Sequence, residues 1–207
     1  MSLSVRLSDP IRVIEERANV AIASHMNGSV QKKKSSIRKA IRKLAEIWIL
    51  EQPEIIALKN NELAAQLGLP FGSADSAVDS IVLAIRNSVD FEIKKFDKRL
   101  KGGVTLKFQP SNFANLFSLA QGHVKLPESG DLHWLRWLLE SGNRTIVVNY
   151  HFVPGTKGRS RGGVMGSGGA WRVPPQYAGT LEDNFVTRAF SGREKDIEKL
   201  MNNILTG

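Results

Sequence analysis

The chain has 207 residues, a 42% apolar share, 18 glycines and no cysteine. That length suits one sizeable domain or two small ones, and the composition is globular rather than disordered. Without cysteine there is no disulfide framework, thiolate metal site or thiol nucleophile. No apolar run is long enough to span a bilayer, and the opening MSLSVRLSDP has no signal-peptide core, so synthesis in the cytoplasm and no membrane partner are expected.

The formal net charge of +9 is unevenly spread. Between Glu140 and Glu182 there is no carboxylate, whereas Arg144, Lys157, Arg159, Arg161 and Arg172 all fall there. A second basic block runs through Lys32, Lys33, Lys34, Arg38, Lys39, Arg42 and Lys43. Such fields favour nucleic acid or an acidic protein surface. The bland reading of the lysine run is the solvated stripe of an amphipathic helix, and it is preferred.

In chain order, Asp9-Pro10 is a helix start, with Ile11, Ile14, Ala18, Ile22 and Met26 on one face. The pattern weakens at Asn27-Gly28 and resumes at Ile37, Ile41, Leu44 and Trp48. This predicts one long helix, or two bent near Gly28, ending at about Gln52. A face of that length cannot bury itself and needs the rest of the domain or a neighbouring subunit. Pro53 opens a helix to about Leu67, stopped by Gly68 and Pro70. Ser76 to Ser88 is another, with Val78, Ile81, Val82 and Ile85 inward.

At Val89 the period changes to two. Val89–Phe96 and Val104–Phe108 alternate around a Lys101-Gly102-Gly103 turn, which predicts a β-hairpin. Ser111 or Asn112 caps a short helix to about Leu119, and Asp131 caps the helix that carries Trp134 and Trp137. Arg144–Phe152 is the most strand-like segment. A Gly/Arg-rich loop over 154–170 follows, then Trp171-Arg172-Val173 as a short strand ended by Pro174-Pro175. Thr180 with Asp183 resembles a capping box for the helix bearing Phe185, Ala189 and Phe190. Ile197, Leu200, Met201 and Ile204 mark a last amphipathic helix. The expected class is α+β: a helical region over 1–88, an α+β core over 89–190 and a C-terminal helix over 191–207, together one structural domain.

The parts of an active site are missing. His25, His123, His133 and His151 fit no metal spacing, no nucleophile elbow is present, and neither Gly155-Thr156-Lys157-Gly158 nor Gly162-Gly163 is a phosphate loop. No enzyme, cofactor or metal is expected. Glu62–Leu69 reads like the first helix and turn of a helix-turn-helix, but Asp75 and Asp79 on the would-be recognition helix repel phosphate. A plain helix hairpin is the better reading. The basic loop could hold phosphate, yet the interleaved aromatics that stack bases are absent from it.

Several stretches together resemble minor virion proteins of tailed bacteriophages: Leu132–Gly142, then a strand, then Gly158–Met165, Trp171–Thr180 and Asn184–Phe190, with Asn61-Glu62-Leu63 to Gly68-Leu69-Pro70 upstream. In outline the chain is similar to neck or tail-completion proteins, which pair a long N-terminal helix with a small sheet. The resemblance covers roughly 55–190. It implies a structural protein of the virion without catalysis, at the head–tail junction or one end of the tail tube. The expected assembly is a homo-oligomeric ring, a hexamer, contacting other neck, connector or tail-tube proteins. Under it, Lys157, Arg159, Arg161 and Arg172 form a docking loop toward an acidic neighbour or packaged DNA. Trp171, Pro174, Pro175 and Tyr177 clamp the base of that loop, while Phe185 and Phe190 fill the subunit's own core, as do Trp134 and Trp137. The alternative is a nucleic-acid-binding module using the basic helix and the loop.

Overall fold

A computed structural model describes residues 8–126 and 130–206, so most of the MSLSVRL segment's leader reading lies outside the described residues. The architecture is α+β, as expected, and among the described residues the strands form three separate two-stranded sheets rather than one. Two compact units emerge, each made of discontinuous segments. The first takes residues up to Ala40, Asp90–Leu106 and the chain from Lys195 on; the second takes Ile41–Val89 and Lys107–Glu194.

In the first unit, helix α1 (Ile11–Lys32) continues through Gly28 without interruption. The helix breaks instead at Lys33, after which α2 runs from Lys34 to Leu50. Lys33 turns its ammonium to the last carbonyls of α9 (Glu194–Thr206), 2.7 Å from that of Ile204, where cations suit the helix dipole. Hairpin β1 (Asp90–Lys94) and β2 (Gly103–Lys107) forms where the alternation placed it. Asn27 ties α1 to this hairpin by exchanging two hydrogen bonds with Phe96, at 2.8 and 3.0 Å. The apolar face of α1, expected to need the rest of the domain or a neighbouring subunit to cover it, is largely bare in this chain. Ala23 and Val30 are buried on another side, while Ile11, Ile14, Ala18 and Ile22 are exposed.

The second unit holds the larger core. The helix begun at Pro53 splits into α3 (Pro53–Lys59) and α4 (Glu62–Gln66), because Asn61 takes a left-handed conformation at φ 63°. Asparagine tolerates that region better than most residues. Helix α5 (Ser73–Ser88) starts a turn earlier than its periodicity showed and buries Val78, Ile81 and Ile85, with Val82 half-buried. Helix α6 shrinks to Ala114–Phe117, with Phe113 rather than Ser111 or Asn112 at its cap position and Asn112 accepting from the Ala114 amide. Asp131 does not cap a helix. It lies in β4 (Gly130–Leu132), paired antiparallel with β3 (Val124–Leu126), and helix α7 begins later, over Trp134–Leu139.

Trp134, Leu135, Leu138 and Leu139 are fully buried, and Trp137 is half-buried, so this helix belongs to the core as expected. So does Phe185, in α8 (Phe185–Phe190), and Phe190 stacks on Phe108 with centroids 4.5 Å apart. The cap of α8 is one pattern further along than Thr180. Asn184 accepts from the Val186 and Thr187 amides while Thr187 answers its backbone N–H; Thr180 and Asp183 merely close the preceding turn.

Candidate functional site

The distinctive element of the second unit is a long antiparallel ribbon, β5 (Thr145–Pro154) against β6 (Gly163–Arg172). Most of the segment expected to be loop is therefore strand, and the connection narrows to residues 155–162. The pairing is backbone-driven, so Gly166 and Ser167 take part, opposite His151 and Tyr150, despite poor strand propensity. Register shifts between Val148 and Tyr150, where Gly168 and Gly169 adopt positive φ and take up an extra residue.

Both ends of this ribbon are fastened. At the tip, the Arg159 guanidinium donates to the carbonyls of Lys125, at 3.0 Å, and Gly68. The Arg159 carbonyl in turn accepts from the Phe71 amide at 3.2 Å, and Asn61 donates to the Ser160 carbonyl at 3.0 Å. Arg161 lays its guanidinium over the Phe71 ring, 4.9 Å from the centroid. Ser160 is buried, and Gly162 sits so close to α4 that a Cβ there would come within 2.4 Å of the Ala65 methyl. The tip is thus clasped by α4 and the turn before α5.

At the base, Trp171 and Val173 are buried. The Pro174 carbonyl accepts from the Tyr177 amide at 2.8 Å, which turns the chain back toward α4, where the Tyr177 hydroxyl donates to Glu62 at 3.2 Å. Partial burial, then the neighbouring Glu62 charge, pushes the phenol pKa upward. Gly179 follows against α7, its carbonyl accepting from the Gly142 amide at 2.8 Å. Pro174 is half-buried and Pro175 exposed.

Between the fastened ends the ribbon is bare on both faces. Val148 is 67% exposed and Tyr150, Val153, Val164 and Met165 are exposed with it, and neither strand has a third strand beside it among the described residues. An isolated two-stranded ribbon is marginal in water, and unpaired strand edges with apolar side chains invite another chain. Glycines in β6 leave a floor that a partner's backbone can approach closely.

Of the basic residues expected to dock, Arg159 and Arg161 are engaged inside the chain, while Lys157 and Arg172 are exposed and make no ion pair among the described residues. The basic block of the first unit is likewise partly occupied. Lys33 caps α9, Arg38 pairs with Asp90 at 3.0 Å, and Lys34 and Arg38 lie over the Phe91 ring.

Sequence reasoning missed the residues that clasp the tip, Asn61 and Phe71, and the buried Glu54. The only local signals were an Asn-Asn pair inside a helical pattern and one carboxylate in the apolar run of α3. Among the described residues no group of three or more acidic, His or Cys side chains could hold a metal, and no helix is long and apolar enough to cross a membrane. No protein-family model, curated protein or solved structure matches this chain.

Proposed function

We propose that this chain is a ring-forming structural subunit of a tailed-phage particle, at the neck or the tail terminus, acting by protein–protein contact. The single observation that carries the reading is the β5–β6 ribbon: fixed at tip and base, apolar on both faces, and open along both edges. A preformed surface of this kind binds without the entropic cost of ordering a loop. The internal work done by Arg159 and Arg161 refines the docking assignment. They hold the tip in place, and the middle of the ribbon is what a neighbour meets, flanked by Lys157 and Arg172. The resemblance of residues 55–190 to minor virion proteins supports the location.

The test is assembly. Native mass spectrometry and averaged images of the purified protein should show a closed ring, expected to be a hexamer, and the protein should be present in purified particles. Val148→Glu combined with Tyr150→Glu should leave the circular dichroism unchanged and abolish incorporation. A monomer that binds DNA with a steep inverse salt dependence would overturn the reading in favour of a nucleic-acid module.

A further inference from the structure

Positive charge in the second unit is segregated onto the ends of its ribbon. From Ser141 to Leu181 the chain carries Arg144, Lys157, Arg159, Arg161 and Arg172 and no carboxylate, within a chain whose net charge is +9. Thr145 pairs with Arg172, which puts Arg144 and Arg172 both at the base, while the other three cations stand at the tip. Between them β5 runs for ten residues, about 30 Å at ~3.3 Å per residue, without a Lys or Arg. That middle is exposed and apolar, and His151 within it donates to the Gly168 carbonyl at 3.0 Å. Of the acids on the elements that clasp the ribbon, Glu62 takes Tyr177, Asp131 takes His123 and Glu140 takes Arg136. Asp75 and Asp79 lie off the face of α5 that turns Ser73, Ser76 and Ala77 to Arg159.

The backbone distinguishes the two open edges. The Gly155 amide donates to the Gly162 carbonyl at 3.1 Å, and antiparallel pairs alternate, so the Val153–Val164 and His151–Gly166 pairs bond inward. The amides and carbonyls of Tyr150 and Phe152 therefore point out along β5, and those of Met165 and Ser167 along β6. Pro154 takes the next outward position of β5 and has no N–H to offer, which guards that edge. Strand β6 has no such guard.

We propose that the β6 edge accepts an extended acidic segment of a different protein as a third strand. Its apolar side chains would lie on the middle of the ribbon and its carboxylates at Arg144, Arg172 and Lys157, which have no ion pair among the described residues. A second copy is a poor occupant. It brings the same net charge, and its own acidic strand, Asp90-Phe91-Glu92, is already paired in β1. The uncharged middle disfavours nucleic acid, since a duplex carries a phosphate every ~3.4 Å of each strand and calls for cations along the whole span. This inference rests on reading the ribbon as a protein-docking surface, and it names the chemistry of the partner.

The probe is a synthetic decapeptide, Glu-Glu-Val-Thr-Val-Thr-Val-Thr-Glu-Glu, added to the full-length protein and followed by fluorescence anisotropy and amide NMR. It should bind, and the Met165 and Ser167 amides should gain protection from exchange while those of Tyr150 and Phe152 do not. The same peptide with Lys in place of Glu should bind at least ~10-fold more weakly. So should the acidic peptide to a protein carrying Arg144→Glu and Arg172→Glu, and added salt should narrow both differences. Both arginines are exposed, so circular dichroism of that variant should be unchanged. Absence of binding, equal binding of the Lys peptide, or protection at Tyr150 and Phe152 instead would each overturn the proposal. So would tighter binding of a duplex DNA probe that the double variant weakens. The two readings fail separately. A closed ring in particles that ignores the acidic peptide removes this partner alone, whereas a monomer absent from particles that still takes the peptide on β6 removes the ring and keeps the edge.

Discussion

Glu54, fully buried in the first turn of α3, receives a charge-assisted hydrogen bond from Arg188 of α8, across 134 residues of sequence. Arg188 also holds Asp183 at 2.7 Å, so one guanidinium bridges the turn that precedes its own helix and the buried acid. Burial outweighs the cation and raises the Glu54 pKa above its ordinary 4.5. Between 4.5 and that raised value the folded state holds a proton that the unfolded chain has released. The contribution is fully present below 4.5 and lost as pH rises through the folded value. Urea midpoints should therefore carry a component that falls with rising pH in that window, and Glu54→Gln should remove it. Arg188→Met strands the buried carboxylate and should cost about 3 kcal/mol at neutral pH, recovered in part by adding Glu54→Gln.

His133 tilts the other way. Its ring stacks on His123 at 3.9 Å and packs edge-on against Phe117, and its Nε2 is buried without a partner. Burial first, then the like charges of His123 and Arg136, lower its pKa, against the opposing pull of Asp131. The stabilising contribution of neutral His133 is present above the ordinary 6.5 and is lost as pH falls through the folded value. NMR titration should give His133 a lower midpoint than an unstructured histidine, and stability should drop between neutral and mildly acid pH. His133→Gln should abolish that drop; an unchanged slope would contradict the assignment.

Removing the Arg159 fork should unfasten the tip without unfolding the unit. Arg159→Ala gives up two charge-assisted bonds at an exposed site, a loss of about 1–2 kcal/mol. Hydrogen exchange should rise at the Phe71 amide, which bonds to the Arg159 carbonyl, and proteolysis should begin within 155–162. Arg159→Lys keeps the charge but not the planar fork and should behave like the alanine variant.

Gly179 is a packing requirement. A Cβ added there would lie 1.9 Å from the Leu138 carbonyl oxygen, which belongs to α7 backbone and cannot move aside alone. Gly179→Ala should destabilise by about 3 kcal/mol, read as a lowered denaturant midpoint with loss of the Trp134 near-ultraviolet signal.

Gly28 is the opposite case. It lies inside α1, and a Cβ there would meet nothing within 4 Å. Gly28→Ala should stabilise the helix by about 0.5–1 kcal/mol, measured as a raised thermal midpoint.

Much of the fold was legible because periodicity reports burial. Val78, Ile81 and Ile85, the alternation around Phe91, and the strand through Val147 all stood where side-chain pattern put them. What stayed hidden depends on backbone or distance. Strand β6 is held by its ladder to β5, and Gly166–Gly169 carry no side-chain pattern that could announce it. The cap of α8 was misplaced because Thr180-x-x-Asp183 and Asn184-x-x-Thr187 both satisfy the spacing, and only packing against Leu139 selects the second. The basic segment was visible as charge, but whether Arg159 serves a partner or its own chain depended on Gly68, 91 residues away. Exposure along α1 was foreshadowed by the length of its apolar face.

The clasp on the ribbon tip also sets an order of events during synthesis. Asn61 and Gly68 wait for Ser160 and Arg159, Glu54 waits for Arg188, and Lys33 waits for the carbonyl of Ile204, 171 residues downstream. Contacts of such separation form late and slowly, since a long loop must close before any of them yields a return. Neither unit can finish until the last third of the chain has been made. Helices α1 to α5 are therefore made well before the residues that fasten them, and the buried face of α3 around Glu54 stays uncovered until α8 has emerged.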